Sequence, residues 1–397
     1  MLLRAKAVLA LLSTAVVLIG SQSIPTTAAQ IKAGKACSEL GKSVSSAGKR
    51  FECKKSGRKL VWVLEKKSSS SADSRSKTVP TPTPFVAPET PKDFSDLLSK
   101  KEGIPYAAWL KSKSVIESSS PKLGRLEYFI SPGISGFDHN KLQFFENTSR
   151  LFPTYEEPKE NYIFIFNSAG IGWVNRKLNE LLTPEEISIL QRNEGNRFVE
   201  SNCPSKCSWA KQQTSRSMKN LILIGYDLLK DSSALNTPWK KIEENQIWSH
   251  EYFHSLQRIP LLTSGMSLTG LNWPPAWYRE GGAGFVQNVS QTYTSYEDYL
   301  MYRETLNPRF PELNEKWVLD FLDLKNYSDG WDSYRNKGIY DVGMRIAEIF
   351  VALKGPGAIM DLYVEQGRGN SFEQAFETIF GIKWEVAVPI IAKVVTS

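Results

Sequence analysis

At 397 residues, with 41% apolar and 11% aromatic content, the chain can bury a substantial core, which excludes a wholly disordered protein. Its formal net charge of +7 is unevenly spread. Residues 31–67 carry a net +8 and Arg4 and Lys6 add two more charges, which leaves residues 68–397 mildly acidic at −3.

The first segment pairs the basic start "MLLRAK" with a 14-residue apolar run, "AVLALLSTAVVLIG", and then small residues up to Ala29. This three-part layout predicts a signal peptide over 1–29, with a cut after Ala29. The apolar run is short of the about 20 residues that a membrane span requires, although an uncleaved anchor is the alternative reading. No later segment is apolar enough to cross a bilayer, so the mature chain is expected to have no transmembrane span and to be secreted or held at the cell surface or wall.

Export governs the reading of the four cysteines. In an oxidising compartment an even set defaults to disulfides, and proximity pairs Cys37 with Cys53 and Cys203 with Cys207. The rival reading of "CPSKC", a metal or redox site, lacks both a second ligand pair and the two-residue spacing of redox motifs.

Residues 30–66 form a small basic module with two cysteines, turn glycines and a closing apolar strand, which suits a disulfide-stapled fold. Outside the cell such a module would rest on anionic wall polymers or only solvate the chain, and no nucleic-acid partner is expected. Residues 67–92, rich in Ser and Pro, read as a linker or stalk.

The large domain is expected to span 93–397. Its first stretch, up to Ser119, reads as helix broken near Pro105. "NYIFIFN" and "NLILIGY" are apolar, β-branched runs and predict strands. "TPEEISILQRN" predicts a helix capped by Thr183 with proline at its first position. After Ile242 the pattern is almost entirely helical. Strands first and helices second predict an α+β domain.

Two of the three histidines fall in "WSHEYFHSLQ". On a helix, His250 and His254 lie on one face, about 6 Å apart along the axis, and can hold one metal ion from the same side. Glu251 is rotated away, beside a water on that metal rather than on the metal itself. This is the H-E-x-x-H arrangement of two ligands and a general base, for which zinc is the expected ion. His139 is read as an unassigned loop histidine. No histidine follows His254, so a carboxylate must complete the ligand set, and "PPAWYREGGAGFV" offers Glu280. Gly281 and Gly282 would let a second backbone approach the metal helix.

"HEYFH" followed by "WYREGGA" resembles the gluzincin branch of zinc metallopeptidases, in particular the peptidase MA-like families. The likeness is specific at 248–285 and extends weakly to "YDVG" and "SFEQAFETIFG". It implies a zincin-like catalytic domain in which His250, His254 and Glu280 bind one Zn2+ and Glu251 is the base, with Trp277, Gly281 and Ala283 completing the second motif. It also implies an oxyanion-stabilising residue, for which Tyr340 is the candidate, and an edge strand that binds peptide by strand addition, for which "NLILIGY" stands in the right order. Twenty-five residues separate His254 from Glu280, more than in thermolysin-like members.

Three functions are compatible with these residues: an exported peptidase acting on peptides or proteins, a wall- or surface-binding protein with a non-catalytic peptidase-like domain, and a zinc-dependent hydrolase of peptidoglycan amides. The intact Glu251 favours a catalytic reading, since a structural metal site needs no base.

Overall fold

The computed structural model describes residues 35–37, 43–46, 49–56, 59–64, 85–135, 137, 140–194, 199–200, 203, 206–229, 240–265, 274–305, 310–323 and 338–397. The signal-peptide segment, most of the linker and His139 lie outside these residues. The chain divides into two compact units between Thr83 and Pro84.

The smaller unit is an antiparallel sheet of β1 (Ser43–Ser46), β2 (Lys49–Ser56) and β3 (Lys59–Leu64). Phe51 and Cys53 alternate inward on β2, opposite Leu64 and Trp62 of β3. So few apolar residues make a thin core, and the Cys37–Cys53 disulfide fastens the preceding segment to it, with Cα atoms 6.0 Å apart. Hydrogen bonds from Cys37 N to Leu60 O (3.1 Å) and from Trp62 N to Lys35 O (2.8 Å) lay that segment along β3.

The larger unit is α+β. Its mixed sheet has the order β4 (Arg125–Ile130), β5 (Glu160–Phe166), β7 (Lys219–Gly225), β6 (Ala210–Thr214); the first three are parallel, and β6 runs antiparallel to β7 at one edge. Both predicted apolar strands, β5 and β7, are central, and each is buried on two faces. Ile163, Ile165, Ile222 and Ile224 point into the main helical core, while Tyr162, Phe164, Phe166, Leu221 and Leu223 point into a second cluster. Helices α3 (Ile171–Leu181) and α4 (Pro184–Glu194), with both cysteines of the Cys203–Cys207 disulfide, cover that second face. The start of α4 is as its sequence predicts: Thr183 Oγ1 accepts from Glu186 N and Glu186 returns a carboxylate to Thr183 N, a reciprocal cap.

The reading of residues 93–119 needs correction. Asp93–Lys100 forms turns, held by Asp96 accepting from Lys92 N and Asp93 N, and α1 (Ile104–Ser118) begins at Pro105 instead of breaking there. Proline is favoured in a first turn, where its missing N–H is not needed. Helix α2 (Leu142–Leu151) connects β4 to β5.

From Lys240 onward every described element is helical: α5 (Lys240–Thr263), α6 (Ala276–Thr292), α7 (Tyr296–Thr305), α8 (Glu315–Phe321), α9 (Asp341–Lys354), α10 (Gly357–Gly367), α11 (Phe372–Phe380) and α12 (Trp384–Thr396). Helix α5 packs against β6 on one side and α6 on another, and α6 packs against α9. Among the described residues no helix is long and apolar enough to cross a membrane.

Candidate metal centre

Helix α5 reaches the centre of the fold because its apolar side is nearly continuous: Trp248, Tyr252, Phe253 and Leu256 are all fully buried. A polar clamp adds to this from behind, where the buried Glu157 accepts hydrogen bonds from Tyr252 Oη (2.6 Å) and Ser149 Oγ (2.6 Å). Burial pushes the Glu157 carboxyl up, and these two donors oppose that rise. The helix is thereby fixed in rotation, and His250 and His254 project together on its remaining face, their ring centroids 4.8 Å apart.

Helix α6 supplies the third group. Glu280 Oε2 lies 3.3 Å from His250 Nε2 and 3.3 Å from His254 Nε2. The three ligand atoms all fall within 4.8 Å of one another, so this group can hold a metal ion. Each side chain keeps a little exposure, 11% for His250, 16% for His254 and 14% for Glu280, so the cluster is reachable from solvent.

The outer nitrogens of the imidazoles decide what the inner ones offer. His254 Nδ1 lies 2.7 Å from Gln257 Oε1, and Gln257 Nε2 donates to the backbone carbonyl of Arg279 at 2.9 Å. That carbonyl can only accept, so the amide nitrogen must face it and the amide oxygen must face His254. His254 Nδ1 therefore carries a hydrogen, and in the neutral ring Nε2 is left as the ligating nitrogen. Gln287 stands in the same relation to His250, with Oε1 2.8 Å from His250 Nδ1 and Nε2 2.7 Å from Tyr302 Oη, a hydroxyl that can accept from it. With both rings neutral, three acceptor atoms converge. Ligands about 2.1 Å from a tetrahedral zinc stand about 3.4 Å apart, close to the 3.3 Å that separates Glu280 Oε2 from each imidazole nitrogen. Two imidazoles and a carboxylate are a donor set that can hold a metal ion.

Burial alone would raise the Glu280 carboxyl, but His254 and His250 more than reverse it and hold it well below the usual carboxylate range. Glu251 behaves oppositely. It is 6% exposed, accepts no hydrogen bond among the described residues, and burial pushes it up to about 7, opposed by His250 and reinforced by Glu280. A carboxylate without donors beside such a cluster is suited to moving a proton near neutral pH.

Tyr340 stands at the N-cap of α9, 42% exposed, with its ring centroid 6.4 Å from that of His250. Burial, then Glu280 and Glu251, keeps its phenol protonated. What puts it there is a crossing of backbones. A Cβ on Gly281 would lie 2.1 Å from the carbonyl carbon of Gly343, and one on Gly343 would lie 2.2 Å from Trp277 O. So Gly281 admits α9, three residues past Tyr340. It is Gly282 that faces the metal helix, where an added Cβ would meet Phe253 and Gln257 at 3.4 Å. Trp277 and Ala283 are core residues, with Trp277 stacked on Trp384 at 5.8 Å.

The expected edge strand also needs correction. "NLILIGY" is β7, which pairs on both sides and has no open edge. The strand beside α5 is β6, "AKQQT", whose polar composition carries none of the apolar signal used to find strands. Hydrogen bonds from Gly225 N to Trp209 O (2.9 Å) and from Ser215 N to Lys219 O (2.8 Å) phase the ladder. Odd-numbered residues of β6 therefore bond to β7, and Ala210, Gln212 and Thr214 turn their backbone groups to the edge, which no described strand covers.

Sequence reasoning also missed Gln257 and Gln287. Their signal was positional, three residues after His254 and seven after Glu280, which places each on its ligand's own helix face. No family model, curated protein or solved structure matches this chain, so the likeness of "HEYFH" and "WYREGGA" rests on those residues themselves.

Proposed function

We propose that this chain is an exported, zinc-dependent metallopeptidase that hydrolyses peptide bonds, with His250, His254 and Glu280 as metal ligands and Glu251 as general base. The observation that carries the reading is the convergence of two imidazole lone pairs and one carboxylate at zinc-ligand spacing, with the histidine hydrogens turned outward. A zinc held by these three residues would supply a water whose pKa is lowered to about 7 and a Lewis acid for the substrate carbonyl. Glu251 is placed to take the proton from the attacking water and hand it to the leaving amine. Tyr340, with its proton retained, is placed to donate a hydrogen bond to the developing oxyanion. The open edge of β6 offers backbone groups to an extended peptide. Gln257 and Gln287 hold the imidazoles in the ligating tautomer.

Two disulfides support an oxidising compartment and hence export. The basic module supports attachment to anionic wall polymers, and a peptidoglycan amide would be an alternative substrate for the same chemistry. The test begins with metal content, on protein never exposed to added zinc or chelator. About one zinc per wild-type chain, falling sharply in Glu280→Ala, is the expected result. A folded wild type that neither contains zinc nor takes it up overturns the reading. Digestion of purified cell-wall sacculi beside a denatured protein separates the two substrates.

A further inference from the structure

Positive charge gathers where α5 packs against the edge strand β6, in a domain that has none to spare. Residues 68–397 sum to −3. Yet Arg258, one helical turn beyond His254 on the same face of α5, reaches across to β6 and donates from Nη1 to Gln213 Oε1 at 2.5 Å. Two residues earlier on β6 stands Lys211, half-buried like Arg258. Arg258 also stands seven residues, two helical turns, beyond Glu251, so the guanidinium lies along the face of α5 that carries the base, and Lys211 shares the side of β6 from which Gln213 meets it. On the far side Arg279, next to Glu280, acts on Tyr340 and Tyr363.

An arginine used only to tie a helix to a strand could sit anywhere along α5. This one, with a lysine for neighbour, borders the groove that an extended peptide would occupy along β6. A half-buried guanidinium there meets any ligand group in a medium of lower dielectric than water, where a carboxylate is attracted and an ammonium repelled.

We propose that Arg258 and Lys211 set specificity, selecting peptides that carry a carboxylate close to the scissile bond. The inference rests on the peptidase reading above. The carboxylate comes either from an acidic side chain or from a free C-terminus; the cationic edge recognises the same group in both.

The test uses the full-length, zinc-loaded protein and a mixed peptide library, prepared with free and with amidated C-termini, with cleavage sites read by mass spectrometry. Enrichment of Asp and Glu beside the cut in both preparations supports recognition of side chains. Cuts near the C-terminus that amidation abolishes support recognition of the terminal carboxylate. In either case Arg258→Glu and, separately, Lys211→Glu should shift the ratio of acidic to basic residues at the cut by about tenfold or more toward basic. A purely structural tie predicts something else, a uniform loss of all cuts with the ratio unmoved, and that result overturns the proposal. So does a wild type that cuts freely without acidic preference. Zinc content measured on each variant shows whether the site is still assembled. A zinc-loaded wild type that cuts nothing fails the peptidase reading itself and takes this inference with it.

Discussion

Two buried polar clusters lie in the larger unit, and they are built on opposite plans. In one, Glu348 of α9 sits 1% exposed among donors. It accepts from Tyr299 Oη at 2.6 Å and from Arg303 Nε at 2.8 Å on both carboxylate oxygens, and Arg345 Nη1 lies 3.6 Å away. Glu304 stands near both guanidinium groups, so the cluster approaches charge balance. Burial pulls Arg303 down, but Glu348 and Tyr299 more than offset this and keep it charged. In the other, Glu280 faces two imidazole nitrogens, and the hydrogens of those rings point away to Gln257 and Gln287. The first cluster meets its carboxylate with donors of its own. The second converges acceptors on one point and leaves the balancing charge to something from outside. Buried charge alone therefore does not mark a functional site; the direction in which the hydrogens point does.

Four measurements can break or sharpen that contrast. The largest effect is expected at Glu251, which neither ligates nor closes a cluster. Glu251→Gln should lower turnover about 100- to 10,000-fold while zinc content stays near one per chain. Loss of the metal together with activity would instead make Glu251 part of the ligand set.

The Glu348 cluster should answer in stability instead. Glu348→Ala removes the carboxylate shared by the buried Arg345 and the half-buried Arg303, and urea denaturation should show a loss of about 3 kcal/mol. A Glu348→Ala protein of native stability would mean that the cluster is solvated in solution and the contrast false.

Next come the glutamines. Gln257→Ala frees the His254 tautomer, and zinc affinity measured against a competing chelator should weaken about 10- to 100-fold. An unchanged affinity would show that the outward hydrogen bond is incidental.

The smallest effect belongs to a surface carboxylate satisfied in the manner of Glu348. Glu186 accepts from Ser217 and from Thr183 N, with Lys219 Nζ at 3.3 Å. Burial would raise its carboxyl, but these partners bring it down to about 2. A group lowered in the folded state stabilises fully above its unfolded pKa of about 4.5, and that stability is lost as pH falls through about 2. The melting temperature of Glu186→Gln should thus lie below wild type at pH 7, with the gap closing progressively between pH 4.5 and 2. A gap independent of pH would remove ionisation from the explanation.

Much of this architecture could be read in advance, for reasons that differ by element. Strands β5 and β7 announced themselves because burial on two faces demands unbroken apolar runs. Helix α4 did so through its cap, which is local chemistry between neighbours in the chain. Strand β6 did not, because an edge strand keeps its polar residues and its identity depends on β7 beside it. The turns at Asp93–Lys100 were missed because a run of helix-compatible residues gave no warning that Asp96 would fold its side chain back onto Lys92 and Asp93.

The site divides along the same line. The sequence by itself determined that His250 and His254 share a helix face, since a spacing of four closes one turn whatever surrounds it. It also determined the two disulfide pairings, each within a short loop. Only the tertiary structure decided that Glu280 meets both imidazoles, that Gln257 and Gln287 turn their hydrogens outward, and that Gly281 and Gly343 touch so that Tyr340 stands by His250. The reason is one of range. Contacts within a helical turn follow from backbone geometry, whereas contacts across 22 to 90 residues exist only once a shared core has fixed where separate helices cross.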